Sequence, residues 1–281
     1  MTDIAITPTV HAAKTVSRTD ELKRLLTLVW TLALSDWKLR FYGSALGLAW
    51  TLVRPFALFG VVYFVFTEIV GLDKDVKNYG IYILYGLVLF TFFTEVTSNS
   101  VQALVARESL LRKMQFNPIV IPLSISVTAL LNLGMTLIAV FIFSIGSGVY
   151  PMWSWFELPV IILLLTMFAT GVGMLLSVLY VRYRDVAPIW EVMSQILFYA
   201  SSVLYVATLV PAQYYRTFLC NPIAALFSQM RHAMVDPTAP SIVKAFGHAY
   251  YVMIPLSLIF ATFILGFWFF QRESPRVAEN L

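Results

Sequence analysis

Three histidines, one cysteine and 15 acidic residues are what this chain of 281 residues offers to catalysis. Their spacing supports no familiar catalytic arrangement. His11, His232 and His248 stand alone, without HExxH or a carboxylate pair around them, and read as solvated or interfacial side chains. Cys220, the single cysteine, excludes an intramolecular disulfide and a cysteine-based metal cluster, so no metal site is expected. The sequence contains no GxxxxGK[ST], the glycine-rich loop that cradles ATP phosphates. Asp185 and Glu191 alone do not make the acid, base or metal constellation that a membrane-embedded transferase needs.

The remaining chemistry is that of holding or passing a ligand. Arg54 lies a few residues inside an apolar block, where a charge is costly and usually faces protein, water or a partner. Its guanidinium offers a planar fork to a phosphate; the plainer alternative is a stem that snorkels to lipid headgroups. Thr91, Glu95, Ser98 and Gln102 share one helical face, either as a packing seam or as the wall of a wet passage. Phe56, Phe59, Tyr63 and Phe66 recur at i, i+3, i+7 and i+10, and Trp190, Phe198, Tyr199 and Tyr205 punctuate a later block. Aromatic stripes present flat, uncharged faces to a moving ligand, but they equally serve packing or the lipid surface.

The elements that must position these residues are membrane helices. The chain is 59% hydrophobic and only 12% charged, about half the charged share of a soluble domain. Mean hydropathy is +0.80. Apolar blocks long enough to span a bilayer occupy about 45–69, 79–105, 118–147, 156–181, 187–208 and 248–270. The expected fold is therefore an all-α integral membrane protein with six transmembrane helices inside residues 43–281. Residues 1–18 read as a polar cytoplasmic leader without a secretory signal peptide. Over 19–42, Leu22, Leu25, Leu26, Val29, Trp30, Ala33 and Trp37 recur at helical spacing between charged residues, predicting an amphipathic helix in the headgroup plane. The segment 209–247 is broken by Pro211, Pro222, Pro237 and Pro240, and predicts short re-entrant or surface helices on the outer side. The run Gly43 to Gly47 matches GxxxG and permits a close approach where the amphipathic helix turns into the first span.

Orientation follows from the positive charges. With both termini in the cytoplasm, 14 of the 19 Lys and Arg residues lie inside, leaving Lys74, Lys77, Arg216, Arg231 and Lys244 outside. The basic balance of +4 thus reads as an orientation signal of a multi-pass inner-membrane protein, with no nucleic acid partner expected. No internal repeat is visible, which disfavours inverted-repeat carriers.

Four stretches carry a family resemblance. KLRFYGSALGLAWTLVRP (38–55), RESLLRKMQFNPIVIPLS (107–124), YRDV (183–186) and PAQYYRTFLCNPIAALFSQMR (211–231) occur in order and in register with the hydropathy. Together they resemble the ABC-2 type polysaccharide exporter permeases, the membrane subunits for O-antigen, capsule and teichoic acid export. The resemblance implies a homodimer of six-span subunits joined to two ABC-type ATPase subunits, which bind the ATP and Mg. It also implies an interfacial N-terminal helix, short extracytoplasmic gate helices and a cytoplasmic coupling helix at 107–116. Leu110, Leu111 and Met114 would enter a groove of the ATPase, with Glu108, Arg112 and Lys113 as a polar rim. Spans one and five border the channel in that family, which makes the two aromatic stripes candidate sugar contacts and Arg54 a candidate contact for a lipid-linked diphosphate. Other classes remain open: an integral membrane enzyme, an ion-coupled carrier, for which Glu95 is the one good midplane candidate, and a drug or small-lipid permease.

Overall fold

The computed structural model describes residues 18–42, 47–71, 76–109 and 117–280. The described residues are helical almost throughout. An N-terminal helix, α1 (Arg18–Phe41), precedes α2 (Gly47–Phe64), α3 (Tyr79–Val101), α4 (Val120–Gly146), α5 (Glu157–Arg182) and α6 (Val186–Ala200). Three short helices follow, α7 (Ala212–Leu219), α8 (Pro222–Met230) and α9 (Ile242–Phe246), and α10 (Met253–Asn280) closes the chain.

Helix α3 is the hub. It is apolar over most of its surface and buried on most sides, apart from the polar face of Thr91, Glu95 and Ser98. Tyr79, Tyr82, Leu84, Tyr85, Leu89 and Phe93 are all shielded, and α2, α4, α5 and α6 surround it. Its hydroxyl side chains satisfy themselves locally. Thr91, Thr97 and Ser100 each donate to the carbonyl four residues earlier, at 2.7, 2.9 and 2.7 Å, which lets polar residues sit in an apolar setting.

Helices α5 and α10 pack against each other through glycine. A Cβ on Gly266 would lie 2.3 Å from the Gly171 carbonyl oxygen, and one on Gly171 would lie 2.7 Å from the Phe263 Cα. Without a hydrophobic drive between helices in lipid, such close backbone approach is how dispersion contacts accumulate.

Five helical segments are long and apolar enough to cross a membrane: Ala49–Ile69, Tyr79–Val101, Val120–Gly146, Trp153–Arg182 and Ala249–Ser274. The block read as a continuous span at 187–208 is different. Its helix has only 15 residues, roughly 22 Å of rise against about 30 Å of hydrocarbon. It stops because Ser202 takes a left-handed backbone, φ 51°, which a helix does not continue through. The chain that follows is irregular but buried, and its carbonyls find donors. Tyr79 Oη donates to the Leu204 oxygen at 2.6 Å, and Tyr82 Oη reaches both the Ser202 oxygen and, at 3.0 Å, the Tyr205 oxygen. Non-helical backbone is tolerated at membrane depth only with partners of this kind.

Helix α1 is bound to the bundle. Val29 and Ala33 are buried, the Ala33 carbonyl accepts from Thr128 on α4 at 3.2 Å, and Leu22, Leu26 and Trp30 beside them stay exposed.

Candidate functional site

Four helices converge on a cavity of about 710 Å³ lined by charged, polar and apolar side chains. Arg40 comes from the last turn of α1, Arg54 and Trp50 from α2, Glu95 and Ser98 from α3, and Asn132 from α4. Pro55, inside α2, lines the same wall; it removes one backbone donor from the helix beside Arg54.

Glu95 organises the charges. Its carboxylate Oε1 is paired with the Arg40 guanidinium and also accepts from Asn132 Nδ2 at 2.6 Å. Because a carboxylate only accepts, the Asn132 amide must turn its NH₂ toward Glu95, and its carbonyl oxygen is left buried without a partner. The Arg40 side chain is 40% exposed and that of Glu95 19%. Arg54 is exposed on the same cavity and makes no hydrogen bond or ion pair among the described residues.

An adjoining cavity of about 250 Å³ contains Gln102 and extends the polar line along α3. Arg107 pairs there with Asp36 of α1 and donates to Ser124 Oγ at 3.2 Å. Two ion pairs therefore tie α1 to the α3 side of the bundle. Of the line Thr91, Glu95, Ser98 and Gln102, Glu95 is a seam between three helices, while Thr91 and Ser98 are open to the larger cavity. The first cavity thus combines two guanidiniums and one carboxylate over a lining that is also aromatic, a combination that suits an anionic amphiphile.

The aromatic residues divide. Phe56 and Phe59 pack edge-on against Phe143 of α4, with ring centroids 6.2 and 5.6 Å apart. Trp190 meets Phe93 at 6.3 Å, Phe198 meets Phe90 at 5.2 Å, and Phe66 packs against the same core. Tyr63 is 39% exposed and Tyr199 is 65% exposed. Tyr205 donates from its hydroxyl to the Tyr199 carbonyl at 2.8 Å, bridging the break after α6.

Residues 209–247 are anchored by side chains that sequence spacing does not connect. Asn221 caps α8, accepting from the Ile223 amide at 3.0 Å, with Pro222 at the first helical position. Its Nδ2 also donates to the Ala200 carbonyl at 3.0 Å and Ser201 Oγ at 2.9 Å, joining α8 to the end of α6. Gln229 donates to Glu157 at 2.6 Å, and Arg231 lies 3.9 Å from Asp236 in a mostly buried pair. Helix α8 is buried along almost its whole length.

Of the residues expected to contact an ATPase, Glu108 is in the described part of the chain and half-buried. Leu110, Leu111, Arg112, Lys113 and Met114 lie outside the described residues, as do most of the leader and Gly43 to Leu46. Sequence reasoning missed the links Arg40–Glu95–Asn132 and Asp36–Arg107. Asn132, a lone amide in an apolar block, was the available signal.

The model of the family described as ABC-2 type transporter matches residues 27–235, from within α1 to beyond α8. Among curated proteins, the O-antigen export system permease protein RfbA of Klebsiella pneumoniae is 24% identical over 258 residues, covering 92% of this chain and 96% of that protein. RfbA of Myxococcus xanthus is 26% identical over 222 residues, 78% of this chain and 85% of that protein. The polysialic acid transport protein KpsM of Escherichia coli is 21% identical over 205 residues, 73% and 80% of the two chains.

Proposed function

Because this chain belongs to the ABC-2 type transporter family, we propose that it is the permease subunit of an exporter of polyprenyl-diphosphate-linked polysaccharide across the cytoplasmic membrane. The observation that carries the reading is the near end-to-end similarity to permeases named for O-antigen export, joined by similarity to one named for polysialic acid transport. Two copies would form the channel, and a separate ATPase, also in two copies, would supply the energy. Both termini would be cytoplasmic, with α6 and the irregular chain after it as the fifth crossing, α10 as the sixth, and α7 and α8 as outer gate helices.

In this arrangement the aromatic stripes of α2 and α6 form the channel wall. Tyr63 and Tyr199 are the exposed rings offered to sugar C–H faces, while Phe56, Phe59, Phe66, Trp190 and Phe198 hold the two helices onto the bundle, with Tyr205 closing the outer end. Uncharged rings bind loosely enough to let a polymer advance. Arg54 takes the lipid diphosphate at the cavity between α1, α2, α3 and α4. Glu95, the acidic residue an ion-coupled carrier would use, is already engaged by Arg40 and Asn132, which favours the exporter.

The test is co-expression with the ATPase encoded beside this chain, followed by purification and ATP hydrolysis in lipid. The expected result is a stable complex of two plus two subunits, lost on the charge reversals Glu108→Lys and Arg112→Glu. A chain that purifies alone, with no ATPase bound, would return the enzyme and carrier readings to the front.

A further inference from the structure

Arg40 and Arg54 reach one cavity from different helices, and only Arg40 is engaged there by a carboxylate. We infer that Arg40 is a second phosphate-binding residue, held in reserve by Glu95, and that a diphosphate entering the cavity exchanges with Glu95 for this guanidinium. The inference rests on the reading of the cavity as the diphosphate site and adds its regulation.

Three observations support it. First, Arg40 is the more exposed partner of the pair, 40% against 19%, so an incoming anion meets the guanidinium before the carboxylate. Second, Glu95 has a second donor in Asn132 Nδ2, at 2.6 Å, and so keeps a charge-assisted hydrogen bond when Arg40 leaves. Third, a carboxylate and a diphosphate on one cavity repel each other, and the cost is relieved when Arg40 shifts its contacts to the ligand. An arginine is suited to the change because its five N–H donors lie in a fixed fork that matches phosphate oxygens.

The exchange has a mechanical consequence. Arg40 stands at the end of α1, and the Arg40–Glu95 pair is one of the two ion pairs that tie α1 to the residues of α3 and its extension. Ligand binding therefore loosens the C-terminal turn of α1 while Asp36–Arg107 holds the turn before it. Loading of the cavity becomes a change in α1.

The experiment uses the purified protein in phosphatidylcholine nanodiscs, with farnesyl diphosphate as the probe, inorganic pyrophosphate as competitor, and a second set of discs containing phosphatidylglycerol. Arg54→Gln and Arg40→Gln are expected to weaken probe binding about tenfold and about threefold, and Glu95→Gln to tighten it about threefold. Hydrogen exchange across residues 34–42 of the unmodified protein is expected to rise when the probe binds and to be already raised in Glu95→Gln. If Glu95→Gln binds as weakly as Arg54→Gln, Glu95 is a strut of the cavity and the exchange is wrong. Exchange over 34–42 that does not respond to bound probe overturns the release of α1. Binding insensitive to both arginine substitutions instead removes the diphosphate site on which the inference rests. Competition by pyrophosphate alone supports a diphosphate ligand, whereas displacement of the probe in phosphatidylglycerol discs assigns the cavity to ordinary anionic lipid and overturns the proposal.

Discussion

At the scale of single residues, the arginines that line the two cavities divide by whether a carboxylate holds them. Arg107 is shared between Asp36 and Ser124, and Arg40 is paired with Glu95. Arg54 differs in having no such partner among the described residues, so its replacement should cost little stability and much function. Arg54→Gln is expected to leave the thermal midpoint within about 2 °C, a surface-like effect, while lowering lipid-stimulated ATP hydrolysis in the complex about fivefold. Asp36→Asn should do the reverse. It strands part of a half-buried guanidinium and should lower stability by about 1 kcal/mol, measured by thermal unfolding in detergent. Arg54 was legible because a cation inside an apolar block is conspicuous. The Arg40–Glu95 pair was not, since 55 residues separate the two and each alone resembles an ordinary interfacial or midplane charge.

At the scale of elements, two junctions carry the architecture. The first is the glycine contact of α5 with α10, where a side chain would meet backbone at well under van der Waals distance. Gly171→Leu should force the helices apart and destabilise the protein by at least about 1–3 kcal/mol, the usual range for overpacking. Exposure of the half-buried Cys220 thiol to a fluorogenic maleimide during heating would read this directly, because the chain has no other cysteine. The second is the break after α6, held by the Tyr79 and Tyr82 hydroxyls. Tyr82→Phe leaves the buried Ser202 carbonyl short of its donor and is expected to cost about 1–3 kcal/mol by the same assay. The apolar block at 187–208 invited a continuous span because hydropathy sees the composition of Val203 to Val206 and not the left-handed turn at Ser202.

At the scale of the whole molecule, the isolated subunit leaves large apolar faces uncovered. Trp50, Leu58, Val61 and Phe64 on α2 are exposed, and so are Ile189, Val192, Ile196 and Tyr199 on α6. Lipid or a second copy must cover them, and the proposed channel chooses between these. Tyr199→Cys placed in a Cys220→Ser background should form a disulfide between copies on mild oxidation in membranes, visible as a dimer band without reductant. Failure of this residue and of Ile196→Cys to cross-link would move the subunit contact away from α6.

The residue composition alone determined that this chain lives in a membrane, because burying so many apolar side chains in long uncharged runs leaves no soluble alternative. Helical periodicity and the lone polar residues in apolar blocks marked α1, Arg54 and the line through Glu95. The ordered motifs at 38–55, 107–124, 183–186 and 211–231 marked the family, which the match over 27–235 bears out. Tertiary structure alone decided which helix stands at the centre, that α1 is fastened by ion pairs, and that Phe56 and Phe59 turn toward Phe143 while Tyr63 and Tyr199 stay exposed. The physical reason is one of range. Hydropathy and helical phase are set within a turn or two of chain, whereas an ion pair, an edge-on ring contact or a borrowed hydroxyl donor joins residues that only the packed bundle brings together.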